Sequence, residues 1–288
     1  MKKYLPFASL FALGTGALGM LLLLILRLGG TDEKGLFPAS HPAWVLLCIL
    51  TPIVLICLWL LSRVAGTNRS YRSNFPPSLP ATVGCVLAAI GLLSGGIDTL
   101  AGMSALHILT GVLGIAGALA MLWAAWCRYS GRKNPFPSHA LPCFYFALQL
   151  FLLGQTLGAE PEICRYLFRF LAVLVMLPAC YWMWGFDVNM GNRPSCLFWC
   201  LSAGYCNLVA IAYGEQWLLH TGMALWALTA LPTLRYLPKK ARPAPVSAPP
   251  VDAVRAAVTA QEPIDPSLPD ADTLLDQLLE DYGSEPNS

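Results

Sequence analysis

The sequence predicts an all-α protein: a polytopic transmembrane helical bundle of about eight spans with a disordered cytoplasmic C-terminal tail. Three observations predict this class. Only 12% of the 288 residues are charged and 56% are hydrophobic, whereas soluble domains carry about 25% charged residues. Apolar runs of about 20 residues, long enough to cross a hydrocarbon core, recur along the chain. Beyond residue 234 the composition changes abruptly to a Pro-rich, acidic segment.

The clearest membrane stretch covers residues 81–126. Between Arg72 and Arg128 the chain contains one charged residue, Asp98, and one histidine, His107. Such a run is too long for one span and fits two spans with a tight turn near Met103. The sequence therefore predicts a helical hairpin here, and the rest of the chain repeats that theme.

The first span begins close to the N-terminus. Its apolar region is longer than that of a cleaved signal and no Ala-x-Ala site follows it, so we interpret it as a retained span. Arg169 falls inside the sixth span, which makes seven spans the main alternative. The eight predicted spans cover about residues 5–27, 43–62, 81–101, 104–126, 139–157, 166–186, 195–213 and 216–234.

The distribution of lysine and arginine predicts the orientation of the bundle, because these residues resist translocation across a membrane. With eight spans, thirteen basic residues of residues 1–242 fall on the side of the N-terminus and four fall on the other side, Arg27, Lys34, Arg165 and Arg169. We therefore expect a multi-pass cell-membrane protein with both termini in the cytoplasm. Short loops and this charge bias suit a bacterial inner membrane.

Small residues recur four positions apart on several spans, for example Gly91 with Gly95 and Gly114 with Ala118. This spacing lets helices approach closely, and we interpret it as packing within the bundle, with a hinge or dimer seam as the alternative. The ten cysteines lie in or beside apolar spans, where cysteine behaves as a small hydrophobe. Cys196 and Cys200 share a helix face, but two thiols are too few for a metal site.

Ionisable residues within spans are costly, so they mark candidate functional sites. The predicted topology places most of them near the outer ends of spans three to eight, where they can line an outward-facing polar vestibule. Snorkelling of each side chain to the interface is the simpler alternative. This candidate intramembrane polar cluster consists of Asp98, His107, Arg169, Glu215 and His220.

Asp98 is the sharpest member of this cluster, because a short acid reaches water poorly from inside a span. We expect it to be buried against other helices, with His107 or Arg169 as its partner. The neutral residues Gln149, Gln155 and Asn207 join the candidates. Arg165 and Arg169 lie four residues apart and face the same way, which favours contact with lipid phosphates, with an anion site as the alternative.

No enzyme chemistry is indicated, and no catalytic residue is assigned. The chain lacks an H-E-x-x-H helix, a pair of intramembrane carboxylates and a phosphate-binding glycine loop. Ser94 follows Leu92 and Leu93 and so lacks the first glycine of the rhomboid-protease G-x-S-G pattern. The four histidines are too dispersed for a metal site. We expect no cofactor, no metal and no nucleic-acid partner.

Residues 1–234 form the predicted bundle, and residues 235–288 form the predicted tail. The tail has too few apolar groups to offset the entropy of ordering, so we expect a disordered linker. Near residues 272–282 a short amphipathic helix is predicted, whose apolar stripe would dock a soluble cytoplasmic protein, although incidental leucines in a solvated tail remain the alternative. The stripe consists of Leu274, Leu275, Leu278, Leu279 and Tyr282.

Two functional hypotheses follow. The first is a non-enzymatic membrane scaffold or sensor, embedded in the lipid bilayer, that recruits a soluble partner through its C-terminal tail. The second is a permease or channel that uses the outward-facing polar cluster. Few polar groups lie near the middle of the predicted spans, and this favours the first hypothesis.

Overall fold

The computed structural model describes residues 4–29, 41–65, 71–132, 134, 137–159 and 163–230. The predictions for the tail, including the Leu274–Tyr282 stripe, lie outside these residues. Within them the chain forms helices and no strand. The helices are α1 (Tyr4–Gly29), α2 (Pro42–Arg63), α3 (Tyr71–Asn74), α4 (Leu79–Leu100), α5 (Ala105–Ser130), α6 (Ala140–Ala159), α7 (Ile163–Asp187), α8 (Arg193–Ala210, followed by a 3₁₀ turn, Ile211–Tyr213) and α9 (Trp217–Ala230).

The predicted transmembrane fold class is confirmed. Six of the described helices, α1, α2, α4, α5, α7 and α8, are long and apolar enough to cross a membrane. The apolar part of α6 is shorter, and α9 is described only as far as Ala230. Each predicted span nevertheless coincides with one helix to within a few residues, apart from the last, which continues beyond the described part.

Helix α8 lies at the centre of the bundle. In its most apolar 18-residue stretch, 72% of the residues are buried, compared with 33% in the corresponding stretch of α1 and 28% in that of α2. It packs against α1, α2, α7 and α9, while α4 packs against α5 and α9, and α6 lies between α5 and α7. The outward faces of the helices carry large apolar side chains such as Leu10, Ile53, Ile90 and Trp123. A surface this apolar needs lipid rather than water around it, and the chain is a multi-pass membrane protein.

Glycine contacts hold the helices close together. A Cβ atom at Gly96 would lie 2.9 Å from the Gly111 carbonyl oxygen, and one at Gly114 would lie 2.8 Å from the Cα atom of Gly96. On α1, a Cβ at Gly16 would lie 2.7 Å from the Leu208 side chain. These small residues therefore serve packing within the bundle, as predicted.

The turn between α4 and α5 lies at residues 101–104, and Met103 adopts a positive φ of 54° there. The tight turn predicted near Met103 is thus confirmed. Because neighbouring helices run antiparallel, the bundle has two distinct ends. We call the end with the α4–α5 turn, the start of α7 and the α8–α9 turn the Asp98 end. The Arg128 end holds the end of α5, the start of α6, the end of α7 and the start of α8.

Candidate functional site

A cavity of about 480 Å³ opens at the Asp98 end of the bundle. Its volume falls in the range of about 300–1,000 Å³ that is typical of small-molecule sites. Residues from α4, α5, α6, α7 and the α8–α9 turn line it. Four of the five predicted cluster residues are among them, Asp98, His107, Arg169 and Glu215. The structure thus brings together residues that are up to 117 positions apart in the sequence.

One wall of the pocket is an ion pair. Arg169 on α7 donates through Nη1 to Oε2 of Glu215 in the α8–α9 turn. The Arg169 side chain is only 16% exposed, and its Nε atom is buried without a hydrogen-bond partner. The Arg169 side chain is therefore mostly buried, but its guanidinium reaches a partly exposed carboxylate at the end of the bundle.

The α8–α9 turn that carries Glu215 is anchored by Arg27 at the end of α1. Arg27 donates through Nη1 to the Ala212 carbonyl oxygen at 2.9 Å. Gly214, with φ of 76°, lies directly against the same guanidinium, where a Cβ would come within 2.8 Å of Nη1. Glycine is needed there both for the left-handed backbone and for this close approach.

Asp98 is exposed, and the expectation that it would be buried against a partner is wrong. It forms no hydrogen bond or ion pair with any residue in the described ranges, and Arg169 pairs with Glu215 instead. The reason is packing. Small residues such as Gly95 and Thr99 form the buried face of α4, where neighbouring helices are too close to admit a carboxylate. Asp98 lies beside that face and lines the pocket.

His107 lies at the edge of the pocket and is half-buried. Its Nδ1 is 2.6 Å from Oγ of Ser104, and Ser104 also caps α5 by accepting from the His107 backbone N–H at 3.3 Å. The imidazole lies against Gly102, where a Cβ would come within 2.3 Å of the ring. The α4–α5 turn therefore holds this ring in a fixed position.

A hydrogen-bonded network forms the floor of the pocket. Gln149 on α6 donates through Nε2 to Oγ1 of Thr99 at 3.0 Å and to the hydroxyl of Tyr145 at 2.9 Å. Thr99 in turn donates to the Gly95 carbonyl oxygen at 2.7 Å. Gln149 was a candidate from the sequence, whereas Thr99 and Tyr145 were missed because nothing in their own neighbourhoods distinguishes them from packing residues.

The bundle is closely packed directly beneath this network. Tyr145 is fully buried, and a Cβ at Gly95 would lie 2.7 Å from its hydroxyl oxygen. A Cβ at Gly114 would lie 3.0 Å from the Tyr145 ring. Helices α4, α5 and α6 are therefore in close contact at this level, below the residues that line the pocket.

His220 lies apart from the other four cluster residues. It is 1% exposed, and its Nδ1 is 2.9 Å from Oδ1 of Asn207 on α8. Asn207 in turn donates to the Ala203 carbonyl oxygen at 2.8 Å. The side chain of His220 points from α9 into the neighbouring helix, so this pair joins α8 to α9 and does not contribute to the pocket lining.

A second polar cluster, buried at the Arg128 end, was not predicted. His139 and Asp187 join α6 to α7 through a 2.8 Å contact between Nδ1 and Oδ2, and both side chains are almost inaccessible to solvent. An ionised carboxylate only accepts hydrogen bonds, so in this pairing His139 would be the donor through Nδ1. With no solvent access, this pair is suited to holding helices together rather than to reacting with a ligand.

Arg128 lies at the same end of the bundle and is 3% exposed. Its guanidinium carbon lies 4.0 Å from the ring centre of Phe75 and 5.7 Å from that of Tyr71, so it fixes the segment around α3 against the bundle. Burial raises the pKa of Tyr71 to about 12, although the positive charge of Arg128 opposes this rise. The sequence contains one signal that could have identified these residues: Arg128, His139 and Asp187 all lie at the predicted inner ends of spans.

Metal-binding side chains do not converge in the part of the chain that the structure describes, where no three His, Cys, Asp or Glu residues form a site. Cys196 and Cys200 do share a helix face, with their Sγ atoms 3.9 Å apart. Both are free, buried thiols.

Comparison with known proteins gives no match: no family model fits the chain, and no curated protein or solved structure is significantly similar to it. The fold and the pocket therefore define its class by themselves. The chain is a multi-pass membrane protein whose described residues form a helical bundle, with a pocket at one end that several charged and amide side chains line.

Proposed function

We propose that this protein is a non-enzymatic membrane sensor that binds a small polar solute in the pocket at the Asp98 end. The observation that carries the proposal is the pocket itself, in which charged, amide and imidazole side chains from four helices and one turn surround a space of about 480 Å³. Polar groups that converge in a concave site are the usual mark of a ligand site. Bound solute would contact α4, α5, α6, α7 and the α8–α9 turn at once, and so would favour one arrangement of these helices.

The close packing beneath the pocket supports binding rather than passage. Below Gln149, the side chain of Tyr145 packs closely against Gly95 of α4 and Gly114 of α5. A solute that enters would meet the hydrogen-bonded network of Gln149, Thr99 and Tyr145 and stop there. A receptor needs such a floor, whereas a channel needs a gap in it.

The output of the sensor in this proposal is the C-terminal tail. The positive-inside distribution predicts a cytoplasmic tail and a pocket on the opposite side of the membrane, and we propose that this membrane is a bacterial inner membrane. The stripe of Leu274, Leu275, Leu278, Leu279 and Tyr282 would then present an apolar helix face to a soluble protein. A helix of this length is marginal alone in water and gains stability from a partner.

A permease is the second candidate. Asp98 favours it, because an acid without a described partner beside an Arg–Glu pair is suited to exchanging partners as a solute moves. This mechanism requires the floor at Gln149 and Tyr145 to open in another conformation.

The test is a thermal-unfolding screen of small polar solutes on the purified full-length protein and on the variant Gln149→Leu. A ligand of the pocket should raise the unfolding temperature of the wild type and have a smaller effect on the variant, which lacks the amide. Absence of any stabilising solute would contradict the proposal.

Two further measurements on a stabilising solute separate the candidates. A sensor predicts changed amide hydrogen exchange at residues 274–279 when the solute binds the intact protein, without uptake into proteoliposomes. A permease predicts saturable uptake into the same proteoliposomes and no change at the tail.

A further inference from the structure

We infer that the ligand of the pocket is a small organic cation with an alkylammonium group, which Asp98 and the amide oxygen of Gln149 recognise. This inference rests on the proposed function, because it specifies the chemical class of the solute.

The charge balance of the pocket favours a cation. Its lining contains two carboxylates, Asp98 and Glu215, and one guanidinium, Arg169. The other basic side chain in the lining is His107, and its Nδ1 is already hydrogen-bonded to the hydroxyl of Ser104. Arg169 and Glu215 neutralise each other. One carboxylate, Asp98, is left without a counter-ion among the described residues.

The floor adds a second acceptor from a buried side chain. Gln149 is 5% exposed, and its amide nitrogen already donates to Thr99 and Tyr145. Its amide oxygen has no hydrogen-bond partner among the described residues, so it is the atom that Gln149 can offer to a ligand. An ammonium group has three donors and no acceptor, which suits a site that presents a carboxylate and an amide oxygen.

The position of Asp98 in its helix supports a role in recognition. It lies in the last turn of α4 (Leu79–Leu100), which contains no basic residue. The C-terminal end of a helix carries a partial negative charge, so an unpaired acid there is electrostatically unfavourable. No basic residue among the described residues pairs with Asp98, so a bound cation would offset this unfavourable interaction.

The same chemistry has two sources at a membrane surface, a free amine in solution and the headgroup of phosphatidylethanolamine. The experiment therefore uses nanodiscs of two compositions. Phosphatidylglycerol carries no amine, and phosphatidylethanolamine carries one on every headgroup. Soluble probes are n-butylammonium chloride, sodium butyrate and n-butanol, which share a carbon chain and differ in the head group, with ammonium and sodium chloride as ionic-strength controls.

In phosphatidylglycerol nanodiscs, butylammonium should raise the unfolding temperature of the full-length protein, while butyrate and butanol should have little effect. Asp98→Asn should weaken the apparent affinity for butylammonium by roughly tenfold or more, the effect of losing one charged hydrogen bond. Asp98→Glu, which retains the charge, should recover part of the lost affinity for butylammonium. Because Asp98 is unpaired, Asp98→Asn should fold normally, and its unfolding temperature without ligand should be unchanged or raised.

The lipid arm identifies the source of the cation. If the headgroup is the ligand, phosphatidylethanolamine should stabilise the wild type relative to Asp98→Asn and abolish the response to butylammonium. If a soluble amine is the ligand, the response should be the same in both lipids.

Three outcomes would overturn the inference. Equal stabilisation by butyrate or butanol, or an amine response that is unchanged in Asp98→Asn, would contradict a cation site while leaving a solute pocket intact. A lack of response to every probe in both lipids would also contradict it. The proposed function fails separately, when the broader solute screen finds no ligand whose effect depends on Gln149.

Discussion

Arg169 and Glu215 form an ion pair that joins α7 to the α8–α9 turn across 46 residues of sequence. The pair closes one side of the pocket and neutralises the only guanidinium in its lining. It is half open to solvent, since the Glu215 side chain is 53% exposed. Its main effect is therefore on the charge of the pocket rather than on the stability of the fold.

The first prediction concerns this pair. Glu215→Gln should change the free energy of unfolding by less than about 1 kcal/mol, because exposed ion pairs contribute little. It should also release Arg169, so that butyrate stabilises the variant more than it stabilises the wild type and butylammonium stabilises it less. Thermal unfolding with both probes measures this. An unchanged order of probes would show that the pair does not control the selectivity of the pocket.

The buried pair at the Arg128 end gives a contrasting prediction. Asp187→Ala should lower the free energy of unfolding by about 3 kcal/mol or more, because it leaves the buried imidazole of His139 without its acceptor. Asp187→Asn retains an acceptor oxygen and should cost less. Equilibrium unfolding in mixed micelles gives these values, with Asp98→Ala as the matched removal of an unpaired carboxylate. Equal effects of Asp187→Ala and Asp98→Ala would contradict the structural role of the pair.

The shifted pKa of Tyr71 predicts a pH dependence. In the folded protein the pKa of Tyr71 is raised to about 12, whereas an unperturbed tyrosine has a pKa of 10.0. The unfolded chain therefore releases this proton first, and stability should fall as the pH rises from about 10 to about 12. Tyr71→Phe should lose less stability over the same interval. Parallel unfolding profiles of the two proteins would indicate that Tyr71 titrates normally.

The orientation of the bundle gives a fourth prediction. A fluorescent protein fused after Ser288 should be fluorescent in a bacterial host, and alkaline phosphatase fused at the same point should be inactive, because the distribution of basic residues predicts a cytoplasmic C-terminus. Phosphatase fused after Pro38, in the first predicted outer loop, should be active. The reversed pattern would place the pocket in the cytoplasm and remove the basis for an external ligand.

Much of the fold follows from the sequence, because hydrophobic length and helix punctuation act locally. The turn at Met103 and the helix ends were predictable, since breaks between apolar runs and small or polar residues mark them. The choice of neighbouring helices is not local. Thr99, Tyr145 and Gln149 meet only because α4 and α6 both pack against α5 near Gly96 and Gly114, and sequence patterns do not specify that arrangement.

The candidate site was predictable in part for the same reason. The cost of charge in a membrane identified Asp98, His107, Arg169 and Glu215, and the topology placed them at one end, where they line one pocket. The pairing among them was not predictable. Asp98 was expected to be buried with a partner. It is exposed, because the Gly95 face of α4 packs too closely against neighbouring helices to accommodate a carboxylate.

Thiol labelling of Gln149→Cys tests most directly whether the pocket is open to solvent from one side only and ends at Gln149. A small, membrane-impermeant methanethiosulfonate with a trimethylammonium group is applied to sealed right-side-out and inverted membrane vesicles, with the wild type as the background for native cysteines. The account predicts rapid modification of Gln149→Cys in right-side-out vesicles and none in inverted vesicles, because the close packing around Tyr145 blocks access from the Arg128 end. Modification from both sides would mean a continuous pathway, and no modification from either side would mean that the pocket is closed to water, so that either result would contradict the account.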